Sequence, residues 1–203
     1  MSERMTVFID YQNTYMGARE LFFNRSGPSQ NGQFDPLALA ERIRVARNAH
    51  IATELKEVRV YRGLPDGRRD SRGYAAGSRQ KAKWESDGIN VLTRPLRYPR
   101  NYPTEKPQEK GVDVHLAIDF ISLAINDEYD VGVLISCDTD LRPALEFARA
   151  RGRKIEVAAW RSGTISSPRL HLPGEMRVWC HWLDDADYNS CSDFTDYGKP
   201  LSS

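Results

Sequence analysis

The chain has 203 residues, of which 40% are hydrophobic, and a formal net charge of +1. This supplies one substantial core and is short for two domains, and no apolar run reaches the roughly 18 residues that a membrane-spanning helix needs. Three cysteines without CxxC spacing argue against both a disulfide framework and a zinc site. We therefore expect a cytoplasmic protein with no membrane partner, with a domain over residues 1–183 and an acidic tail over residues 184–203.

The first predicted strand, over residues 6–9, ends in Asp10. A helix follows, with apolar residues at helical spacing between residues 15 and 22. Asn13, one turn into this helix, is predicted to point back toward the strand end, where its amide could hydrogen-bond a carboxylate or a metal-bound water. Local capping is the alternative role for Asn13, and the sequence leaves both open.

Asp35 and Pro36 are predicted to open a second helix, with the aspartate as its N-cap. A strand over residues 56–62 follows. A basic helix over residues 71–86 comes next, and its candidate substrate-binding residues are Arg72 and Arg79.

Positive charge is concentrated in the middle of the chain. Residues 59–110 hold 13 Lys and Arg against 6 Asp and Glu, a local excess of +7 that makes a polyanionic partner plausible. The alternative interpretation is a solvated surface of internal salt bridges.

After a strand over residues 89–93, the chain continues as a long connection over residues 94–110. Such loops inside a compact domain are usually functional or disordered. Its cations and aromatic rings are the kinds of side chain that bind the phosphates and bases of single-stranded nucleic acid. The candidate substrate-binding residues in it are Arg97, Tyr98, Arg100, Tyr102 and Lys106. The alternative is a proline-stiffened surface loop whose tyrosines pack locally.

Gly111, Val112 and Asp113 begin a strongly apolar helix, so Asp113 occupies its first turn. Asp119 lies six residues, or about 600°, further around the same helix and cannot point to the same place. We interpret Asp119 as a structural or supporting carboxylate.

Residues 133–135 form an apolar run typical of a strand buried on both faces, and Ser136 marks where this strand leaves the core. Asp138 and Asp140 follow, before a helix that the apolar spacing of residues 141–148 predicts. Ligands in open α/β sheets bind outside the carboxyl ends of the strands, so these carboxylates are candidates for holding a metal or activating water. One aspartate before a helix is more often an N-cap, and Asp138 alone does not decide the question.

A strand over residues 154–160, a loop over residues 161–173 that could hold a short helix, and an edge strand over residues 177–183 complete the predicted domain. The alternation of strands and helices predicts parallel strands in an α/β fold. Residues 184–196 hold five acidic residues and no basic one, which is typical of a solvated terminus, although this tail could lie against the basic region.

Asp10, Asp113 and Asp138 each stand at the entrance of a helix, and two of them directly follow strands. If those strands are neighbours, the three carboxylates lie in one crevice and repel each other unless a cation compensates. Oxygen ligands favour Mg²⁺ or Mn²⁺ over zinc. Such an ion can orient and deprotonate water and neutralise a phosphoryl oxygen, as in metal-assisted phosphodiester hydrolysis.

The sequence contains no competing catalytic motif. It lacks the GxxxxGK[ST] phosphate loop, the GxSxG nucleophile elbow and the GxGxxG dinucleotide turn. Its histidines lack zinc spacing; they are His50, His115, His171 and His181.

Three ordered motifs resemble those of the NYN domains, in particular the LabA-like group, of the PIN-like nuclease superfamily. The motifs are Val7-Phe-Ile-Asp10-Tyr-Gln-Asn13, Lys110-Gly-Val-Asp113-Val-His-Leu-Ala-Ile-Asp119 and Leu134-Ile-Ser-Cys-Asp138-Thr-Asp140. The resemblance spans most of residues 5–160. It implies a three-layer PIN-like α/β fold, in which helices flank a mostly parallel central sheet, and a Mg²⁺- or Mn²⁺-dependent ribonuclease site. It implies Asp10, Asp113 and Asp138 as metal ligands, with Asn13 and Asp140 beside them.

The acidic turn departs from the family pattern by having Cys137 where Gly is common and Leu141 where Phe is common, and neither change removes a carboxylate. The leading hypothesis is a metal-dependent endoribonuclease acting on single-stranded or structured RNA, in which Asn13 and Asp140 position water. The alternatives are a non-catalytic RNA- or protein-binding module, a nuclease acting on DNA, and a phosphohydrolase of small phosphate esters. The sequence also leaves a homo-oligomer open.

Overall fold

The structure is a computed structural model that describes residues 2–172 and 178–199. The strands are β1 (Glu3–Asp10), β2 (Thr53–Leu64), β3 (Asn90–Pro95), β4 (Val131–Ile135), β5 (Lys154–Ser162), β6 (Ile165–Ser166) and β7 (Trp179–Leu183). The helices are α1 (Tyr11–Phe23), α2 (Pro36–Asn48), α3 (Ser71–Ser86), α4 (Val112–Ile125), α5 (Arg142–Ala150) and α6 (Asp185–Cys191), and a 3-10 turn at Thr139–Leu141 precedes α5. None of the described helices is long and apolar enough to cross a membrane.

The central sheet has the strand order β3-β2-β1-β4-β5-β7, and each neighbouring pair in this order is parallel. The two-residue β6 pairs antiparallel with the end of β5. The chain builds outward from β1 in one direction through β2 and β3 and in the other through β4 and β5. The strand order therefore switches between β1 and β4, where open α/β sheets form their ligand crevice.

Helices cover both faces of the sheet, because successive side chains of a strand point to opposite faces. Val7 and Ile9 of β1 pack in a core with α1, α2, α3 and α6 on one face. Phe8 packs with α4 and α5 on the other face. All three side chains are fully buried. The predicted three-layer arrangement with a mostly parallel sheet is confirmed.

The region after β5 differs from the prediction in one respect. The short helix predicted within residues 161–173 is wrong for the described part of that segment, because the chain turns at Gly163 and returns as β6. The predicted edge strand is confirmed as β7. Pro173 and Arg177, at the ends of the predicted loop and strand, lie outside the described residues.

The acidic segment after β7 folds back onto the domain. Asp184 caps α6, in which Tyr188 and Cys191 are buried. Further along, Arg79 of α3 donates to the backbone carbonyl of Tyr197 at 2.8 Å. Of the two alternatives for the tail, the structure favours the one in which it lies against the basic helix.

Candidate active site

Asp10 stands where β1 ends and α1 begins, and both of its carboxylate oxygens accept hydrogen bonds. Oδ1 accepts the backbone N–H of Asn13 at 3.2 Å, which caps α1, and Oδ2 accepts the Ser136 hydroxyl at 3.0 Å. Burial, with a smaller contribution from the neighbouring carboxylates of Glu109 and Asp138, raises the pKa of Asp10 to about 6. The ionised form of Asp10 is therefore disfavoured here, and a nearby cation would favour it.

The acidic turn after β4 is held against β1 by two polar side chains. The Ser136 hydroxyl accepts the backbone N–H of Asp138 at 3.1 Å while it donates to Asp10. Asn13 points back toward the strand end, as predicted, and its Oδ1 accepts the backbone N–H of Cys137 at 3.1 Å. Asp138 also caps the 3-10 turn by accepting a backbone N–H at 2.9 Å. Asp138 thus has the capping role and also the position beside Asp10.

Asp113 and Glu109 reach this region from the start of α4. Gly111 adopts a left-handed conformation, with φ of 76°, that lets the chain turn into α4 with Asp113 in its first turn. Glu109 accepts the backbone N–H of Gly63. A Cβ at position 63 would lie only 2.8 Å from Glu109 Cγ, so the glycine permits this close approach. Burial, together with the repulsion from Asp113, raises the pKa of Glu109.

Four carboxylates line one crevice at the carboxyl ends of the strands. A cavity of about 300 Å³ is bordered by Asp10, Glu109, Asp113 and Asp138. The larger cavity of the crevice, of about 440 Å³, shares three of these carboxylates and continues along α1 toward Trp160. Within residues 2–172 and 178–199, no three Asp, Glu, His or Cys side chains are arranged to hold one ion directly. The structure brings the three predicted ligands to one crevice without converging them on a single point.

Other aspartates lie outside this crevice. Asp140 is exposed and borders neither cavity. Asp119 accepts a hydrogen bond from Arg59 at 3.0 Å and from the Tyr61 hydroxyl at 2.9 Å, which confirms its interpretation as structural. Asp35 caps α2 as predicted.

Residues 4–170 match the sequence model of the NYN domain family, over a stretch that includes every carboxylate of the crevice. The chain belongs to the NYN domain family. It is thereby a member of the PIN-like nuclease superfamily, as the motifs predicted, while its place in the LabA-like group stays a prediction.

One solved structure is similar to this NYN domain, a crystal structure of a protein of unknown function from Vibrio parahaemolyticus. The two have 21% sequence identity and a TM-score of 0.49, over 77% of this chain and 81% of that chain. No curated protein matches the chain in sequence.

The connection over residues 94–110 of the NYN domain is closed by an antiparallel bridge. Arg97 and Gln108 exchange backbone hydrogen bonds of 2.8 and 3.0 Å. The Tyr98 hydroxyl accepts the backbone N–H of Asp66 at 3.1 Å, and the rings of Tyr98 and Tyr102 meet edge to face at 4.9 Å. Both tyrosines therefore pack locally, as the alternative interpretation held. The predicted cations Arg97, Arg100 and Lys106 are exposed, as are Arg94 and Lys110 at the two ends of the connection.

The cations of α3 are largely engaged within the NYN domain. Lys81 and Lys83 each pair with an acidic residue one turn further along the helix. Arg79 holds the C-terminal segment through the Tyr197 carbonyl. Arg72 is exposed at the first turn and is the candidate from this helix that faces an open cleft.

Sequence reasoning missed Glu109 and the hydroxyl of Ser136 as site residues. Glu109 could have been noticed as an acidic residue two positions before the glycine that opens α4, at the end of a mainly basic connection. Ser136 could have been noticed as a hydroxyl between the buried strand and Asp138. The Ser136 hydroxyl links Asp10 to the backbone of Asp138, and Glu109 adds a fourth carboxylate to the crevice.

Proposed function

We propose that this NYN domain is a metal-dependent endoribonuclease that hydrolyses RNA phosphodiester bonds in the acidic crevice. The observation that carries the proposal is that Asp10, Asp113 and Asp138, together with Glu109, border one cavity at the switch point of a parallel sheet. Crowded carboxylates of this kind are unfavourable unless a cation or protons neutralise them. Burial raises the pKa of Asp10 and of Glu109, and the neighbouring carboxylates add a smaller contribution in the same direction.

The donor set of the crevice fits Mg²⁺ or Mn²⁺. It consists of carboxylate oxygens, which hard cations prefer. Mg²⁺ commonly keeps several water ligands and is bound through one or two carboxylates plus substrate phosphates, so it does not require three converging side chains. Asp10, Asp113 and Asp138 would hold the ion. When bound, it would neutralise charge on a phosphoryl oxygen and make a water more acidic.

The protein's own groups supply the remaining chemistry. In hydrolysis, a water oxygen forms a bond to phosphorus and gives up a proton. The bond from phosphorus to a ribose oxygen breaks, and this oxygen takes up a proton from solvent to leave as a hydroxyl. Glu109 has a raised pKa and one carboxylate oxygen, Oε2, that is not bound to Gly63, so it is suited to accept the proton of the water. The side-chain NH₂ group of Asn13 would orient the water or a phosphate oxygen. We leave Asp140 out of this set because it does not border the crevice.

A non-catalytic RNA- or protein-binding NYN module is the second candidate function. The observation that favours it is that the described part of the chain has no three-ligand metal group. Nucleic-acid binding alone needs cations and an open surface but no ion at Asp10.

A cleavage assay separates these functions. The purified protein is incubated with one sequence as single-stranded RNA, as a structured RNA and as single-stranded DNA, each with Mn²⁺ or with EDTA. We expect internal cleavage of RNA with Mn²⁺ and none with EDTA. No cleavage of any substrate would favour the non-catalytic module, and cleavage of DNA alone would overturn the assignment of RNA as substrate.

Replacing Arg97 and Arg100 together with Ala is expected to weaken RNA binding and to flatten its salt dependence. Both are exposed on the loop that leads directly to Glu109. The slope of log K against log salt should fall by about 0.7 for each lost single-strand phosphate contact. Fluorescence anisotropy with EDTA present measures this slope. Arg44→Ala on α2 is the matched control, since Arg44 pairs with Glu41 and borders none of these cavities. If the double variant binds like wild type at every salt concentration, the loop is only a surface connection.

A further inference from the structure

A second cleft, of about 420 Å³, opens beside the acidic crevice between α1, α3 and the C-terminal segment. Gln12 borders the second cleft and also the larger cavity of the crevice. Asp10 and Tyr11 are consecutive residues, and Asp10 borders the crevice while Tyr11 borders the second cleft. The two spaces are therefore neighbours on the surface.

An arginine without an acidic partner borders the second cleft. The Arg62 guanidinium, from β2, lies 5.0 Å from the centre of the Tyr11 ring and 5.6 Å from that of Trp84, and it donates to the side-chain oxygen of Gln80. Arg59 on the same strand pairs with two carboxylates. Arg62 forms no such pair within 4.0 Å with any Asp or Glu of the described residues. The Arg62 side chain is partly buried, and this burial lowers the pKa of its guanidinium.

The carboxylates nearest to Arg62 are bound to other partners, so an anion could pair with its guanidinium. Glu109 attracts Arg62 from the side of the crevice, but its carboxylate is bound to the Gly63 N–H. Asp196 on the wall of the cleft is paired with Lys199 at 3.3 Å. Arg62 is a partly buried cation that contacts aromatic rings, a side-chain amide and the Gly63 carbonyl, and no carboxylate of the described residues is in direct contact with it. Such a cation is costly to bury, and an anion beside it would offset that cost.

Phosphate is the anion that this arrangement fits. A guanidinium group donates two parallel hydrogen bonds to phosphate oxygens, and it stays charged when partly buried. Arg72, in the first turn of α3, brings a second guanidinium to the same cleft. Gln12 adds a side-chain amide that can bind phosphate or ribose oxygens.

The position of Arg62 in the sheet relates this phosphate to the acidic crevice. Asp10 pairs with Tyr61 of β2, so Arg62 is one residue beyond the β1 carboxylate at the same edge of the sheet. We propose that Arg62 and Arg72 bind the phosphate of a nucleotide adjacent to the bond that is cleaved. This proposal rests on the proposed function, since it assumes that RNA enters the crevice.

The test is equilibrium binding of a fluorescein-labelled single-stranded RNA to metal-free protein in EDTA, where no cleavage occurs. Arg62→Gln and Arg72→Gln are each expected to weaken binding about tenfold, as the loss of a charge-assisted hydrogen bond does. Each should also reduce the salt slope by about 0.7. Arg44→Gln, which removes one charge from α2 outside both clefts, should bind as wild type does. Because Arg62 is packed among aromatic rings, thermal unfolding of Arg62→Gln is measured in parallel. If Arg62→Gln does not fold, the binding of Arg72→Gln decides the test.

The outcomes separate this proposal from the proposed function. If the wild type cleaves RNA with Mn²⁺ but both arginine variants bind as it does, the phosphate subsite is overturned and the nuclease assignment stands. If the wild type cleaves nothing but the arginine variants bind RNA more weakly than Arg44→Gln, then Arg62 and Arg72 bind an RNA phosphate, and both the nuclease assignment and the position of that phosphate beside a cleaved bond fail. For a cleaving enzyme, Arg62→Gln should raise KM with little change in kcat, because the contact is made equally in the ground state and the transition state.

Discussion

Asp138→Asn is expected to lower the rate of RNA cleavage by about 100-fold or more, the range found when one preorganised electrostatic group is removed from an active site. The exchange preserves the size of the side chain and an oxygen that can accept the backbone N–H now bound at 2.9 Å. Asn and Asp are equally good caps, so the turn after β4 should keep its structure. The variant loses only the negative charge that the crevice offers to a cation. Single-turnover cleavage with Mn²⁺ measures the effect.

Asp35→Asn is the matched control for this exchange. Asp35 caps α2 by accepting the backbone N–H groups of Leu37 and Ala38 at 2.8 and 2.9 Å, and it lies outside the crevice. The Asp35→Asn variant should cleave RNA at the wild-type rate. If Asp138→Asn, with an unchanged unfolding temperature, also cleaves at that rate, then Asp138 is a cap and not part of the catalytic site.

In metal-free buffer, Asp10→Asn is expected to be more stable than the wild type at pH 7.5, and this difference should disappear as the pH falls toward 4. The folded protein holds the Asp10 proton with a pKa of about 6, against an ordinary value of 3.8. Between these values the folded state binds more protons than the unfolded state, so the free energy of unfolding of the wild type decreases as the pH rises. The variant has no such titration. A shift of this size corresponds to at most about 3 kcal/mol.

Urea unfolding of both proteins at a series of pH values in EDTA checks this prediction. The gain should be smaller than the upper limit, because an amide oxygen accepts the Asn13 N–H and the Ser136 hydroxyl less strongly than a carboxylate does. Curves of stability against pH that run parallel for the two proteins would show that Asp10 is not destabilised in its ionised form.

The framework of the site could be predicted from the sequence because it depends on local patterns. The apolar runs of β1 and β4 are buried on both faces, so Asp10 and Asp138 had to follow the ends of central strands. The parallel order of these strands then followed from the alternation of strands and helices. Asp113 could be placed in the first turn of its helix because a glycine precedes that helix.

The remaining features depend on contacts between residues that are distant in the chain. Glu109 is positioned by the backbone of Gly63, which a pattern of polar and apolar residues does not reveal. The packing of Tyr98 depends on the turn at Asp66. The C-terminal segment is held by Tyr188, whose hydroxyl accepts the backbone N–H of Gly32 at 3.0 Å. The acidic composition of the segment does not reveal this contact and by itself suggested a solvated terminus.

Calorimetric titration of metal-free protein with Mn²⁺ tests most directly whether the acidic crevice is a metal site. We predict saturable binding to the wild type and to Asp35→Asn, and loss of that binding in Asp113→Asn. At a Mn²⁺ concentration 100 times its Kd, the wild type should also gain about 2.7 kcal/mol of stability. A wild type that binds no Mn²⁺, or an Asp113→Asn variant that binds it with the wild-type Kd, would contradict the assignment of the crevice as the metal site of a nuclease.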